Sequence, residues 1–203
     1  FFIRIVLLNN PYYELVAFLK TRKIKKIDLL DYPSDYKKYQ SYQSTLINSN
    51  PKVSIIIPTL NRYNYLKNAI KDLEKQTYQN FEIIIIDQSD NFRKEFYDDF
   101  KINLKIIYQK EKALWLARNT GIKYSSSDFL LFFDDDSNVE ENWIEEHLKC
   151  IDYFKADISS GVSISKRGAK VPGHYKFFKL SEQLDTGNVL INKKVFRVCG
   201  FEC

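Results

Sequence analysis

The sequence predicts an α/β fold built on a mainly parallel, twisted sheet with helices on both faces. From residue 53 onward, continuous apolar runs alternate with segments whose apolar residues recur three and four positions apart. Runs such as Val53–Ile57 and Phe129–Phe133 show almost no polar alternation, which is typical of strands that are buried on both faces. The intervening spacing is that of helices, and helices alternating with buried strands indicate a parallel sheet covered on both sides.

The composition supports one globular domain of ordinary size with an N-terminal extension. The chain has 203 residues, of which 44% are hydrophobic, and a net charge of +5. These values exclude disordered and collagen-like chains, and no apolar run reaches the ~20 residues that span a bilayer. The modest charge does not form the basic pattern of a nucleic-acid-binding surface. Three cysteines, an odd number, disfavour a disulfide scaffold and predict a cytoplasmic protein.

The first 50 residues differ in texture from the remainder. Apolar spacing predicts a helix within residues 12–26, and its end carries a basic cluster that is suited either to solvent or to the inner face of a membrane. Residues 31–52 are rich in polar residues and predict a linker or an irregular segment. We therefore divide the chain into an N-terminal extension, residues 1–50, and a main domain, residues 51–203. The absence of methionine predicts that the sequence is a piece of a longer chain.

The elements of the main domain follow in order from the apolar spacing. The first predicted strand begins at Val53 and is expected to stop at Pro58. Further strands are predicted over residues 81–86, 104–108 and 129–133, and helices over residues 62–77, 92–100, 112–126 and 141–154. In such sheets ligands bind at the carboxyl ends of the strands.

Three adjacent aspartates, Asp134, Asp135 and Asp136, follow the apolar strand 129–133. Adjacent carboxylates repel one another, and a divalent cation is a common way to offset that repulsion. Carboxylate oxygens suit Mg²⁺ or Mn²⁺, and alternate residues after a strand point the same way, so Asp134 and Asp136 can share one ion. The alternative is a solvated acidic turn before the next helix.

Other polar residues have both a functional and a structural interpretation. Asp87 ends the second buried strand and can accept bonds from a nucleobase or a ribose, or it can shape a turn. Arg118 can contact a phosphate or lie on a helix surface. His147 is predicted to be a core residue, and His174 lies in a polar loop. Three aromatic residues suit either sugar stacking or core packing, namely Trp115, Trp143 and Tyr175.

Five segments in register resemble the blocks of family 2 glycosyltransferases. Val53–Arg62 is similar to the opening strand and loop, and Phe81–Asp90 to the second strand with its aspartate. Ala117–Ile122 and Phe129–Ser137 resemble the third and fourth blocks, the latter ending in the metal-binding D-x-D. Thr186–Glu202 resembles the acceptor-side strand and the Gly-Phe-Asp that follows it.

The resemblance implies a GT-A fold and metal-assisted transfer, with inversion, of a sugar from a nucleotide diphosphate donor to a glycan or lipid-linked acceptor. A UDP-sugar is the expected donor, and Mn²⁺ or Mg²⁺ the expected cofactor. The metal would be held by Asp136, the expected direct ligand, together with Asp134. The donor nucleotide would contact Pro58, Thr59, Asn61, Asp87, Arg118, Asp134 and Asp135.

Two departures from the family pattern leave other functions open. Gln88 stands where the family often has a second aspartate, and the usual Glu-Asp pair that supplies the catalytic base would lie beyond Cys203. The chain could therefore be a donor-binding or scaffold domain without catalysis. A sugar nucleotidyltransferase is disfavoured, because the loop after the first strand lacks the glycine- and lysine-rich sequence of that class.

Overall fold

The computed structural model describes residues 32–161, 186–197 and 201. They belong to two compact units, one ending at Ser41 and the other beginning at Tyr42. The predicted helix within residues 12–26, with its expected membrane contact, and the loop with His174 and Tyr175 lie outside the described residues. Among the described residues, every helix is too short or too polar to cross a membrane.

The segment before the sheet is more regular than predicted. Helix α1 spans Tyr32–Ser41 and helix α2 spans Thr45–Asn48, where the sequence was expected to be irregular. The prediction was wrong for α1 because it relied on polar composition, whereas lysine and glutamine are good helix formers. A proline in the first turn removes no intrahelical hydrogen bond.

The second unit contains a sheet of six strands within the described ranges, in the order β3-β2-β1-β4-β6-β5. The first four strands are parallel, whereas β6 is antiparallel to both β4 and β5. The mainly parallel α/β prediction is confirmed. The elements are β1 (Val53–Thr59), α3 (Tyr63–Leu73), β2 (Phe81–Asp87), a 3-10 helix (Lys94–Asp99), β3 (Leu104–Tyr108), α4 (Leu114–Tyr124), β4 (Phe129–Phe133), α5 (Trp143–Phe154), β5 (Ile158–Ser160), β6 (Asn188–Asn192) and a second 3-10 helix (Lys193–Arg197).

Strand β1 continues through Pro58 to Thr59, so the predicted stop at the proline was wrong. Its pairing with β4 ends at Ile56, whereas its pairing with β2 continues to Thr59. Beyond Ile56, β1 has a strand neighbour on one side, where a residue without an N–H group is tolerated. The longer strand carries Thr59 to the carboxyl end of the sheet.

Helices cover both faces of the sheet, as the buried strands predict. On one face, α3 and α5 pack through residues such as Leu66, Ile70 and Leu148, all fully buried. On the other face lies α4, whose Gly121 allows close approach to β1: a Cβ there would lie less than 3.0 Å from Ile56 Cγ2. Close packing of α4 fixes the height of Arg118 relative to the strand ends.

Glu82 joins strands at the amino end of the sheet. Its carboxylate accepts hydrogen bonds from Ser54 Oγ (2.6 Å), from the Ser126 N–H and hydroxyl (both 2.9 Å) and from Lys52 Nζ (3.1 Å). Burial disfavours the charged form, but these donors outweigh burial and lower the pKa of Glu82 to about 2. Ionised Glu82 therefore stabilises the folded state.

We expect Glu82→Gln to lower the free energy of unfolding at neutral pH by about 1–2 kcal/mol. The folded pKa lies below the usual 4.5, so the stabilisation is present above pH 4.5 and is lost as the pH falls toward 2. Urea unfolding across this window should show a shallower pH dependence in the variant. Exposed Glu95→Gln is the control; equal effects of the two substitutions would contradict the assignment.

Candidate functional site

The parallel strands bring three polar loops to one edge of the sheet. In the strand register, Thr59 of β1 lies beside Asp87 of β2, which in turn lies beside Tyr108 of β3. Strand β4, the other neighbour of β1, ends at Phe133, directly before Asp134. This edge is called the carboxyl rim below, and it comprises the residues that follow β1, β2 and β4.

The middle aspartate of the triplet faces β1 and is buried. Asp135 accepts a hydrogen bond from Thr59 Oγ1 at 2.7 Å and another from Arg62 Nη1 at 3.3 Å. Burial raises the pKa of Asp135, and these two donors only partly oppose that effect. The carboxylates of Asp135 and Asp136 in turn raise the pKa of the Arg62 guanidinium. Thr59 and Arg62 thus fix the centre of the triplet.

The flanking aspartates are half exposed, and each contacts a different arginine. The Asp136 carboxylate accepts from Arg62 Nη1 at 2.8 Å, and Asp134 Oδ1 lies 3.6 Å from Arg118 Nη2. About 44% of the Asp134 side chain and 45% of the Asp136 side chain are exposed, against 6% for Asp135. Two cations from separate elements therefore offset the charge of the triplet.

Arg118 is a buried arginine rather than a surface charge. Its Nη2 donates to the Thr186 carbonyl at 3.2 Å, and its guanidinium lies 5.5 Å from the centroid of the Phe201 ring. Asn119 pairs with the backbone of Phe201 through two hydrogen bonds. Arg118 therefore links α4 both to Asp134 and to the segment that precedes β6.

Gly187 supplies the space into which the Asp134 carboxylate fits. The Asp134 N–H donates to the Gly187 carbonyl at 3.2 Å, and a Cβ on Gly187 would lie less than 3.0 Å from Asp134 Oδ2. A side chain at this position would push the carboxylate aside. Glycine at this position therefore leaves room for the observed position of the Asp134 carboxylate.

The donor set suits a hard divalent cation that completes its coordination with substrate. Asp134 and Asp136 offer half-exposed carboxylate oxygens, and Mg²⁺ commonly binds one or two carboxylates together with phosphate oxygens and water. In the described part of the chain, no group of three or more His, Cys, Asp or Glu side chains is arranged around one metal position. A metal bound here would therefore take its other ligands from water or from the phosphate groups of a bound molecule.

Asp87 is fully buried, and both of its oxygens are engaged. Oδ2 accepts from the hydroxyls of Tyr63 (2.7 Å) and Tyr97 (2.8 Å), and Oδ1 accepts from the Ser89 N–H (2.9 Å). Burial, together with the neighbouring carboxylate, raises the pKa of both tyrosines. Because Asp87 is fully buried, a ligand could contact its carboxylate only if a residue that covers it moved.

Asn61 ties together the loops that follow β1 and β2. It adopts a left-handed backbone conformation (φ 58°), which asparagine tolerates better than most residues. Its N–H donates to Ser89 Oγ at 2.8 Å, and its side-chain amide exchanges hydrogen bonds with Asp90 at 2.8 and 3.0 Å. Lys112 also pairs with Asp90, which joins the loop before α4 to this network.

The structure gathers every predicted site residue at or beside the carboxyl rim. The ligand-binding roles predicted for them stay predictions. Gln88 points elsewhere, because its amide donates to the carbonyls of Glu111 and Ala113 before α4. His147 is buried, as predicted, and Trp143 packs against Phe133 in the core. Four further residues lie at the site without a signal in the sequence, because their role depends on distant contacts, namely Arg62, Tyr63, Tyr97 and Gly187.

A comparison with protein families places almost the whole sheet-containing unit in one family. The family model described as "Glycosyl transferase family 2" matches residues 54–202. The match begins in β1 and includes every polar loop of the carboxyl rim.

Three bacterial glycosyltransferases are among the relatives. Glycosyltransferase GlyA of Streptococcus pneumoniae is 33% identical over 117 residues, which cover 54% of this chain and 16% of GlyA. An uncharacterized glycosyltransferase of Rickettsia felis is 35% identical over 152 residues, 70% of this chain and 25% of the relative. The UDP-Glc:alpha-D-GlcNAc-diphosphoundecaprenol beta-1,3-glucosyltransferase WfgD of Escherichia coli is 34% identical over 48% of this chain and 38% of its own. This chain thus spans less than half the length of these relatives.

Solved structures share the fold. The crystal structure of Staphylococcus aureus TarS 1–349 matches with a TM-score of 0.62 at 22% identity, over 72% of this chain and 48% of that one. The mannosyltransferase PcManGT of Pyrobaculum calidifontis, solved with GDP-Man and Mn²⁺, matches with a TM-score of 0.62 at 14% identity, over 86% and 55%. The GT-A fold predicted from the sequence is confirmed.

Tyr97→Phe should lower the free energy of unfolding by about 1–3 kcal/mol, because buried Asp87 loses a donor while the aromatic ring is kept. Chemical denaturation measures the change. Exposed Tyr65→Phe is the matched control, since its side chain is more than half exposed. A Tyr97→Phe protein as stable as this control would show that the hydrogen bond is unimportant.

Gly187→Ala should destabilise the protein by about 1–3 kcal/mol, because the new methyl group overlaps the Asp134 carboxylate. Removing that carboxylate relieves the overlap, so Gly187→Ala should cost much less in an Asp134→Ala background. A double-mutant cycle from urea unfolding measures this coupling. Additive effects would mean that the cost of the methyl group arises elsewhere.

Proposed function

The chain belongs to glycosyltransferase family 2, and we propose that it binds a nucleotide diphosphate sugar at the carboxyl rim and transfers the sugar, with inversion, to a glycan or lipid-linked acceptor. The observation that carries this proposal is the meeting of Asp134–Asp136 with Thr59, Arg62 and Arg118 at the end of the sheet. Carboxylates and arginines at the carboxyl ends of parallel strands are suited to bind a diphosphate together with a metal ion.

A uridine nucleotide is the proposed donor. TarS has been solved with UDP and with UDP-GlcNAc, and the name of WfgD specifies UDP-Glc. PcManGT was solved with GDP-Man, so a guanosine nucleotide is the main alternative within the same fold. Both kinds of donor present a diphosphate to the metal, so the choice between them depends on the nucleobase.

Asp134 and Asp136 would hold Mn²⁺ or Mg²⁺, and the bound ion would neutralise the charge that develops on the diphosphate leaving group. Asp135 is held by Thr59 and therefore keeps the backbone of the triplet fixed. Arg62 and Arg118 contact the flanking carboxylates, so their positive charge would lie near a diphosphate bound to the same metal.

The transfer step requires three changes at the reacting atoms. A bond forms between the acceptor oxygen and the anomeric carbon, the bond from that carbon to the diphosphate oxygen breaks, and the acceptor hydroxyl proton passes to a base. Attack from the side opposite the leaving group inverts the anomeric centre. We assign none of the described residues as the base.

The test is a thermal-shift panel of UDP, GDP, CDP and dTDP, each with and without Mn²⁺. At 100 times its dissociation constant, the correct nucleotide should stabilise the chain by about 2.7 kcal/mol. The shift should depend on Mn²⁺ and should be lost in Asp136→Ala, because that substitution removes a proposed metal ligand.

Asp128→Ala is the control. This exposed aspartate lies directly before β4, whereas the triplet lies directly after it, at the other end of the strand. It should keep the full response. A flat response of the folded wild-type chain to all four nucleotides would count against a donor site built on the triplet. A shift that survives Asp136→Ala would count against its role as metal ligand.

A further inference from the structure

We propose that Trp143, His147 and Asn188 form a hydrogen-bonded relay that positions the backbone of residues 186–188 against the carboxyl rim. The inference rests on the proposed function and deepens it, because it assigns positioning residues to the donor site. The relay lies between α5 and the start of β6. It links helix α5, which carries none of the predicted donor-binding or metal-binding residues, to the carboxyl rim.

The side chain of Asn188 is the centre of the relay. Its Oδ1 accepts a hydrogen bond from Trp143 Nε1 at 2.9 Å and lies 3.0 Å from His147 Nε2. Gly161, which follows β5, also lies close to the amide, since a Cβ there would lie less than 3.0 Å from three side-chain atoms of Asn188. The amide is therefore held between one helix and the end of β5.

The contact with Asn188 predicts the tautomer of His147. An indole N–H can only donate, so the Asn188 atom that meets it is the carbonyl oxygen, which can only accept. His147 Nε2 faces the same oxygen and must therefore carry a hydrogen. Nδ1 is then unprotonated and accepts from Ser159 Oγ at 3.0 Å. Burial lowers the pKa of His147 to about 4, so the imidazole is neutral at neutral pH.

Asn188 transmits its position to the rim through the two residues before it. The carbonyl of Gly187 accepts from the Asp134 N–H, and Gly187 also shapes the space for the Asp134 carboxylate. The carbonyl of Thr186 accepts from Arg118. Asn188 itself pairs with Phe133, the last residue of β4. A shift of Asn188 would therefore displace both partners of the Asp134–Arg118 ion pair.

Two substitutions of His147 separate the relay from simple packing. Glutamine can place an N–H near the position of Nε2, so His147→Gln should preserve the donor to Asn188. Asparagine is shorter and reaches the position of Nδ1, so His147→Asn should lose it. Trp143→Phe removes the other donor and keeps an aromatic ring against Phe133. Ile151→Val, on the same helix, is a mild packing control.

The first readout needs no ligand. Amide hydrogen exchange of the Asp134 N–H, measured by NMR on the full chain, reports its bond to Gly187. Exchange should be faster in His147→Asn and Trp143→Phe, and close to wild type in His147→Gln and Ile151→Val. NMR of ¹⁵N-labelled histidine should show the Nε2–H tautomer for His147, with His174→Gln used to assign the signals.

The second readout is the dissociation constant of UDP in the presence of Mn²⁺, by calorimetry. Substitutions that disturb the support of metal ligands commonly weaken binding tenfold or more, so we expect about a tenfold loss in His147→Asn and Trp143→Phe. His147→Gln should restore binding. If wild-type chain fails to bind UDP but the exchange pattern holds, the relay stands and the donor assignment falls.

Three results would overturn the relay. The first is an Nδ1–H tautomer for His147. The second is equal exchange of the Asp134 amide in all four variants, and the third is a His147→Gln protein that behaves like His147→Asn. The exchange and tautomer measurements need no ligand. If one variant fails to fold, the remaining variants and the tautomer of the wild-type protein still test the relay.

Discussion

The repulsion among three adjacent carboxylates is the constraint around which the carboxyl rim is organised. Asp134, Asp135 and Asp136 stand at the end of a buried strand, and their charge is offset from three directions. Asp135 accepts hydrogen bonds from the Thr59 hydroxyl on β1 and from Arg62, just before α3. Arg62 also pairs with Asp136. An arginine on α4 meets Asp134. The triplet therefore requires β1, α3, α4 and β4 to keep one arrangement.

The parallel register makes that arrangement possible. Since β1 is paired with β2 on one side and β4 on the other, the loops after all three strands open at the same edge. The extension of β1 through Pro58 brings Thr59 level with Asp87. Asp87 supports the loops of the carboxyl rim, because its carboxylate accepts hydrogen bonds from Tyr63 of α3 and from Tyr97 of the first 3-10 helix. A buried carboxyl group that accepts hydrogen bonds from three donors is a rigid support.

The antiparallel strand β6 connects the carboxyl rim to helix α5, which covers one face of the sheet. Its first residue, Asn188, is held by α5, while the two preceding residues contact Asp134 and Arg118. Arg118 belongs to α4, which covers the other face of the sheet from α5. The segment 186–188 is thus where the two helical layers and the aspartate triplet meet. Gly187 leaves room there for the Asp134 side chain, and Gly161 leaves room for the side chain of Asn188.

The sequence by itself determined the α/β class, the four parallel strands with the helices between them, and the edge of the sheet where polar residues collect. These features depend on local spacing: buried strands read as apolar runs, and Leu66, Ala69, Ile70 and Leu73 mark the buried face of α3. The motifs around Asp87, Arg118 and Asp134–Asp136 also lie within short segments, so their order along the chain predicted the family.

Only the tertiary structure decided which partners those residues have. The contact of Arg62 with Asp135 joins residues 73 positions apart, and that of Asn188 with Trp143 joins residues 45 apart. Neither pair leaves a periodic signal, because the spacing of contacts between elements is set by packing and not by the helical or strand repeat. The room at Gly187 has the same origin, because the side chain that occupies it belongs to Asp134, a residue from a distant part of the chain.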